Sequence, residues 1–245
     1  ACKAVFGEHR VKETERIRQR YDRRKSVKET DLYSPLNASV YLTVQEKERA
    51  IISIINRFNI KPVQEKTVLE IGCGSGSNLL DFIRIGFGPE NLVGVELLED
   101  RASLARSRLP SLVKIIQGDA CEVEIPGGPF DIVLQSTVFT SILDDEFQKK
   151  LAHRMWSFVK KKGGVLWYDF IYNNPRNPDV RGVPLKRIKY LFPEGEIYRR
   201  KITLAPPISR LVTRIHPFFY HLFNLFPFLR THLLCWIRKS DSGIE

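Results

Sequence analysis

The sequence predicts an α/β fold built on a mostly parallel, doubly wound sheet. Three observations carry this. Thr67–Ile71 is a short β-branched and apolar run, followed at once by glycines at alternate positions, Gly72, Gly74 and Gly76, and then by the apolar-faced start of a helix, Asn78–Ile85. Further apolar runs of strand length recur at Asn91–Leu97, Leu112–Gln117, Phe130–Gln135 and Val165–Ile171. Stretches of helical length lie between them, such as Glu99–Arg108 and Asp144–Lys160. Strands alternating with helices give a parallel sheet covered on both faces.

Taken from the start, Glu8–Lys28 is polar with sparse apolar residues (Val11, Ile17, Tyr21) and reads as a mostly exposed helix. It is also the most basic part of the chain, with Arg10, Lys12, Arg16, Arg18, Arg20, Arg23, Arg24, Lys25 and Lys28. Asp31–Asn37 breaks the pattern with Pro35. Val44–Phe58 carries Ile51, Ile52, Ile55 and Phe58 at helical spacing and predicts an amphipathic helix packed on the sheet. These elements make residues 1–62 a cap, and 63–245 the main domain. Pro110 stops the helix Glu99–Arg108. Asp144 near the start of Asp144–Lys160, with Lys160, Lys161 and Lys162 at its end, suits the helix dipole, and Gly163 and Gly164 are expected to terminate that helix.

The loop Tyr172–Gly182 is polar, holds two prolines and has no helical period. Loops at the carboxyl edge of such a sheet border the ligand crevice, so Asn173, Arg176 and Arg181 are read as substrate-facing. A short helix, Pro184–Leu191, and a strand, Glu196–Leu204, follow. Residues 206–230 then form an insertion dense in Phe and Leu, interrupted by His216, Pro217, His221, Asn224 and Pro227. It is too short and broken to span a bilayer, which takes about 20 apolar residues. It reads either as a helix covering the sheet and the acceptor pocket or as a patch lying on a membrane surface. His232–Arg238 is the last strand.

The spacing of the glycines narrows the ligand. A dinucleotide fingerprint places its third glycine where Ser77 stands, and Gly76 comes one residue early. Glu70, two residues before the first glycine, would repel a pyrophosphate and suits a cationic ligand. Glu-x-Gly-x-Gly-x-Gly after a strand resembles the first motif of the class I S-adenosylmethionine (SAM) methyltransferases. The order of acidic residues at later strand ends extends the resemblance. Glu96 lies about 20 residues past the glycines, where an acid accepts ribose hydroxyls, and Asp119 follows the third strand. The resemblance spans residues 63–172. It implies a Rossmann-like seven-stranded sheet with N-terminal cover helices and SAM as cofactor. It also implies a set of cofactor contacts: Glu70, Gly72, Gly74 and Gly76 for the methionine part, Glu96 and Leu97 for the ribose, Asp119 and Ala120 for the adenine. Gln135 and Ser136 are expected nearest the methyl group.

The chain has 245 residues, a net charge of +11 and four cysteines without paired spacing. The cysteines fit a reducing compartment better than a disulfide framework or a zinc site. No apolar leader is evident, so a cytoplasmic protein is expected, with peripheral membrane contact as the alternative. The basic excess fits either a solvated surface or an anionic partner such as nucleic acid, an acidic membrane or an acidic substrate.

Methyl transfer is an in-line displacement that depends on alignment. A hydroxyl acceptor also needs a base, for which Asp169 at the end of the fifth strand is the candidate. Arg20–Tyr21–Asp22 resembles the tyrosine-bearing helix that lies over SAM in small-molecule enzymes, which makes Tyr21 a second catalytic candidate and Tyr33 a substrate contact. His153 lies mid-helix and reads as structural, while His216 and His221 are weaker candidates for the base. Gln135–Ser136–Thr137–Val138 lacks the Asp/Asn-Pro-Pro-Tyr/Phe of the amino-methyltransferases, the Pro-Cys of the cytosine enzymes and the carboxylate of the metal-dependent catechol type, so no metal is expected. The expected function is SAM-dependent methyl transfer to a small molecule or glycan, acidic or lipid-linked sugars among them, at oxygen, as in natural-product or polysaccharide pathways. An RNA methyltransferase using the basic segment and a non-catalytic SAM-binding protein are the rivals.

Overall fold

The computed structural model describes residues 13–23, 34–175 and 177–239. Seven strands form one sheet in the order β3-β2-β1-β4-β5-β7-β6. They are β1 (Val68–Ile71), β2 (Leu92–Glu96), β3 (Lys114–Gln117), β4 (Phe130–Ser136), β5 (Val159–Phe170), β6 (Gly195–Leu204) and β7 (Arg230–Lys239). The first five run parallel, and β7 pairs antiparallel with both β5 and β6. The helices are α1 (13–23), α2 (Ala38–Arg57), α3 (Ser77–Ile85), α4 (Glu99–Arg108), α5 (Asp145–Ser157), α6 (Leu185–Leu191), α7 (Pro206–Ile215) and α8 (Phe218–Asn224).

Alternation along each strand sends side chains to two cores, one on each face. Leu69, Val93, Val133, Val165 and Trp167 face α5 and α6, in a core that also takes Ile17 of α1. Val68, Leu92, Ile132, Leu166 and Trp236 face α2 and α3. Parallel strands buried on both faces need near-continuous apolar sequence, which is why these runs were legible.

Two expectations change here. The helix after β4 ends at Ser157, and Lys160, Lys161 and Lys162 belong to β5. Val159 already pairs with Phe130, and the register then jumps so that Gly164 pairs with Ile132. Residues 160–163 form the resulting bulge, with Lys162 at φ 66°. Gly163 and Gly164 serve this close approach and do not stop a helix. A Cβ on Gly163 would stand 2.7 Å from the Asp131 carbonyl oxygen, and one on Gly164 2.7 Å from that of Ile237. Lys160 is held there by Asp131, at 2.7 Å.

The second change concerns the two flanks. Helix α1 exposes six of its eleven residues, as expected, and the rest of Glu8–Lys28 lies outside the described residues, but one face of the helix is interior. Glu13, Ile17 and Arg20 recur at helical spacing and are all buried. The aromatic insertion folds as α7 and α8 and rests on α2 and β6, around Leu204, Val212, Tyr220 and Leu42. It contributes nothing to the cavity described next.

Candidate active site

The glycine turn builds the site. Gly72, Gly74 and Gly76 all have positive φ, at 68°, 55° and 81°. Gly76 also occupies a crowded point, where an added Cβ would meet Leu109 Cδ1 at 2.6 Å. Glu96, at the end of β2, ties the turn down. Its Oε2 accepts the Gly74 N–H at 2.7 Å and its Oε1 accepts the Leu98 N–H at 2.9 Å.

A cavity opens at the carboxyl edge of β1, β2, β3 and β4. It is lined by Ile71, Gly72, Glu96, Leu97, Asp119 and Ala120 on one side and Ser136, Thr137, Val138 and Ser141 on another. Helix α1 closes it with Thr14, Ile17 and Tyr21. That helix is held by a buried pair. Arg20 Nη1 donates to Glu13 Oε1 at 3.0 Å and to the Ser141 carbonyl at 2.9 Å, while the same Glu13 oxygen accepts the Leu143 N–H at 3.1 Å. Arg101 of α4 also lines the cavity and lays its guanidinium over the Tyr21 ring, 4.5 Å from the centroid. Sequence reading missed Arg101, Thr14 and Glu13. The signal available was the i, i+4, i+7 spacing of Glu13, Ile17 and Arg20.

Of the expected cofactor contacts, Gly72, Glu96, Leu97, Asp119, Ala120 and Ser136 are brought together, with Tyr21 beside them. Glu70, Gly74, Gly76 and Gln135 are not part of the lining. Strand alternation puts Ile71 toward the cavity and Glu70 beneath the turn, fully buried, where its Oε1 accepts from Asn78 at 2.5 Å. Asn78 in turn accepts from Lys47 at 2.5 Å. Burial raises the Glu70 pKa to about 7 and lowers that of Lys47. Gln135, also buried, accepts the Val138 N–H at 3.1 Å and so shapes the turn after β4.

Asp169 is fully buried and does not line the cavity. Its Oδ2 accepts the Thr140 N–H at 3.2 Å and its Oδ1 the Phe170 N–H at 2.9 Å. This placement suits a group that positions the β4–α5 loop rather than one that takes a proton from an acceptor. Asn173 and Arg181 lie in a separate depression beside Asp145 and Arg187. Asn173 Oδ1 accepts the Gly182 N–H at 2.9 Å, and Arg181 pairs with Asp145. Both therefore brace the loop after β5. Tyr33 and Arg176 lie outside the described residues.

Burial raises the Asp169 pKa to about 7, while an unfolded aspartate titrates near about 3.9. Across that window the folded chain keeps a proton that the unfolded chain has released, so the unfolding free energy falls as pH rises. Asp169→Asn removes this contribution and leaves that of Glu70 in place. The variant's stability should decline less steeply than the wild type's between about pH 4 and pH 7, measured by urea unfolding. At one pH the variant should be weaker by about 1–3 kcal/mol, because an amide has one acceptor oxygen for two N–H groups. Equal slopes would contradict the assignment.

Residues 68–163 match the family model described as a methyltransferase domain. An uncharacterized methyltransferase of Bacillus mycoides is 28% identical over 106 residues, which is 43% of this chain and 47% of that protein. The chain thus spans about half the length of the curated relatives it matches. Among solved structures, magnesium protoporphyrin IX methyltransferase from Synechocystis, with bound SAH, aligns with a TM-score of 0.58 at 13% identity, over 90% of this chain and 93% of that one. A SAM-dependent methyltransferase from Archaeoglobus fulgidus aligns with a TM-score of 0.55 at 17% identity, over 78% and 94%. Residues 68–163 thus match a methyltransferase domain, and the sheet and helices around them have the fold of SAM-dependent methyltransferases.

The similarity to SAM-dependent methyltransferases implies S-adenosylmethionine as cofactor, and the residues present fit it. Each Glu96 oxygen uses one of its acceptor sites within the protein and keeps another for a hydroxyl donor. Among the described residues the space over Gly74 is open, with nothing nearer to an added Cβ than Arg101 Nη1 at 3.9 Å. Among the described residues the glycine turn is thus bare above Gly74 and crowded at Gly76, on the side that packs against α4.

Proposed function

We propose that this protein binds SAM in the cavity under α1 and transfers its methyl group to an oxygen of a small molecule or glycan. The observation that carries the reading is the joint placement of Gly72, Glu96, Asp119 and Ala120 around one cavity roofed by Tyr21. SAM supplies an activated methyl on a sulfonium. Glu96 and Leu97 take the ribose, Asp119 and Ala120 the adenine, and Gly72 leaves the backbone accessible to the methionine part. Ser136 and Thr137 stand at the end of β4, where an acceptor would meet the methyl. Tyr21 and Arg101 close the roof, and with Ile17 they keep water from the reacting groups.

The enclosed roof favours a small acceptor over a folded RNA. The alternative, an RNA methyltransferase, rests on the basic residues near the N-terminus, of which Arg20 is already committed to Glu13 and Arg23 donates to Asp179 at 2.7 Å. The test is transfer of labelled methyl from SAM to a panel of hydroxylated small molecules, acidic sugars and lipid-linked glycans, with total RNA in parallel. Label on an ether or ester product supports the reading. Label confined to RNA, falling steeply with salt, assigns the alternative.

A further inference from the structure

We propose that the outer face of α7, α8 and the turn after them docks this protein on an anionic lipid bilayer. The inner face of this hairpin is pinned. Glu46 of α2 accepts from Tyr220 Oη at 2.6 Å, from Asn224 Nδ2 at 2.7 Å and from the Thr203 N–H at 3.1 Å. Ser209, Val212 and Tyr220 are buried beneath it. The outer face is held away from the core and is apolar. Leu211, Ile215, Phe218, Leu225 and Phe228 are 63%, 72%, 59%, 68% and 71% exposed, and Phe226 lies beside Phe228 with ring centroids 5.7 Å apart. Scattered exposed apolar residues need no explanation, but a run of this density on one hairpin marks an interaction surface.

Charge selects the occupant. Residues 206–230 hold no Asp or Glu and carry Arg210, Arg214 and Arg230. Arg214 and His221 are exposed among the apolar side chains. Apolar residues with basic neighbours and no acid suit a surface of acyl chains under anionic headgroups. A second copy suits it poorly, because a twofold contact sets the same basic patch against itself. No helix among the described residues is long and apolar enough to cross a membrane, so the contact is peripheral.

The location adds a consequence. β6 runs parallel to β5, since both are antiparallel to β7. Its end at Leu204 therefore delivers α7 to the same edge of the sheet as the cavity. Docking there brings the site's edge to the bilayer and suits an acceptor carried by a lipid.

The test is sedimentation of the full chain with phosphatidylcholine vesicles, with and without phosphatidylglycerol. Binding should be at least about tenfold stronger to the anionic vesicles and should weaken with salt. Phe218→Glu with Phe228→Glu should reduce it at least about tenfold, with thermal unfolding and SAM binding unchanged. Neither residue touches the cavity. The wild type alone decides the matter if the variant misfolds. Failure to bind anionic vesicles at low salt overturns the proposal. So does a double variant, folded as the wild type, that binds as tightly. A wild-type dimer that the variant dissociates, without vesicle binding, assigns the face to a second copy. None of these outcomes depends on methyl transfer.

Discussion

Glu96→Ala should abolish measurable SAM binding, with a loss of at least about a hundredfold, while the chain stays folded. The carboxylate has two tasks at once. It accepts the Gly74 N–H at 2.7 Å and the Leu98 N–H at 2.9 Å, and it lines the cavity. Hydrogen bonds to a charged group contribute about 1.5–3 kcal/mol each, and about 1.4 kcal/mol is a factor of ten in affinity. Removing the carboxylate leaves two N–H groups without an acceptor and frees a turn whose glycines sit at positive φ. The ribose loses its acceptor as well. Calorimetric titration with SAM reads the affinity, and a thermal melt shows that the β-sheet persists. Affinity within about threefold of wild type would mean that Glu96 braces the turn without touching the ligand.

Arg20→Ala should release α1 from the roof. Glu13 is 1% exposed and Arg20 6%, so the substitution strands a carboxylate in the interior. Breaking a buried pair costs about 3–5 kcal/mol, more than a short helix anchored by Ile17 recovers by packing. The helix should therefore leave, so that Glu13 returns to water. Thr14, Ile17 and Tyr21 leave the cavity lining with it. Proteolysis within 13–23 should be at least about tenfold faster, and SAM should bind more weakly. The double variant Glu13→Leu with Arg20→Leu separates charge from packing. It should restore protease resistance, since apolar residues replace a buried pair at little cost. An Arg20→Ala chain as resistant as wild type would show that the pair does not hold the roof.

The sheet was legible because its central strands are buried on both faces and read as continuous apolar runs. The glycine turn, Glu96 and Asp119 were legible because each stands at a strand end, where the chain itself fixes the position. What escaped depended on tertiary contacts. Gly163 and Gly164 looked like helix terminators and instead permit the close approach of β4 and β7 backbone. Glu70 fitted the motif, yet the pleat turns it under α3, against Asn78. Asp169 stood at the right strand end for a base, but the loop after β4 folds over it and takes one oxygen through the Thr140 N–H, while the Phe170 N–H of its own strand takes the other. The basic N-terminal segment hid a pair of burial positions in a field of charge. Glu13 and Arg20 are seven apart, and only the facing loop, through Ser141 and Leu143, makes them interior.

Calorimetric titration of the purified chain with SAM, and separately with NAD, tests the central claim most directly. A single SAM site in the micromolar range with no response to NAD is the predicted result. NAD binding in place of SAM, or no binding of SAM by a folded chain, would contradict it and leave the glycine turn as a structural feature alone.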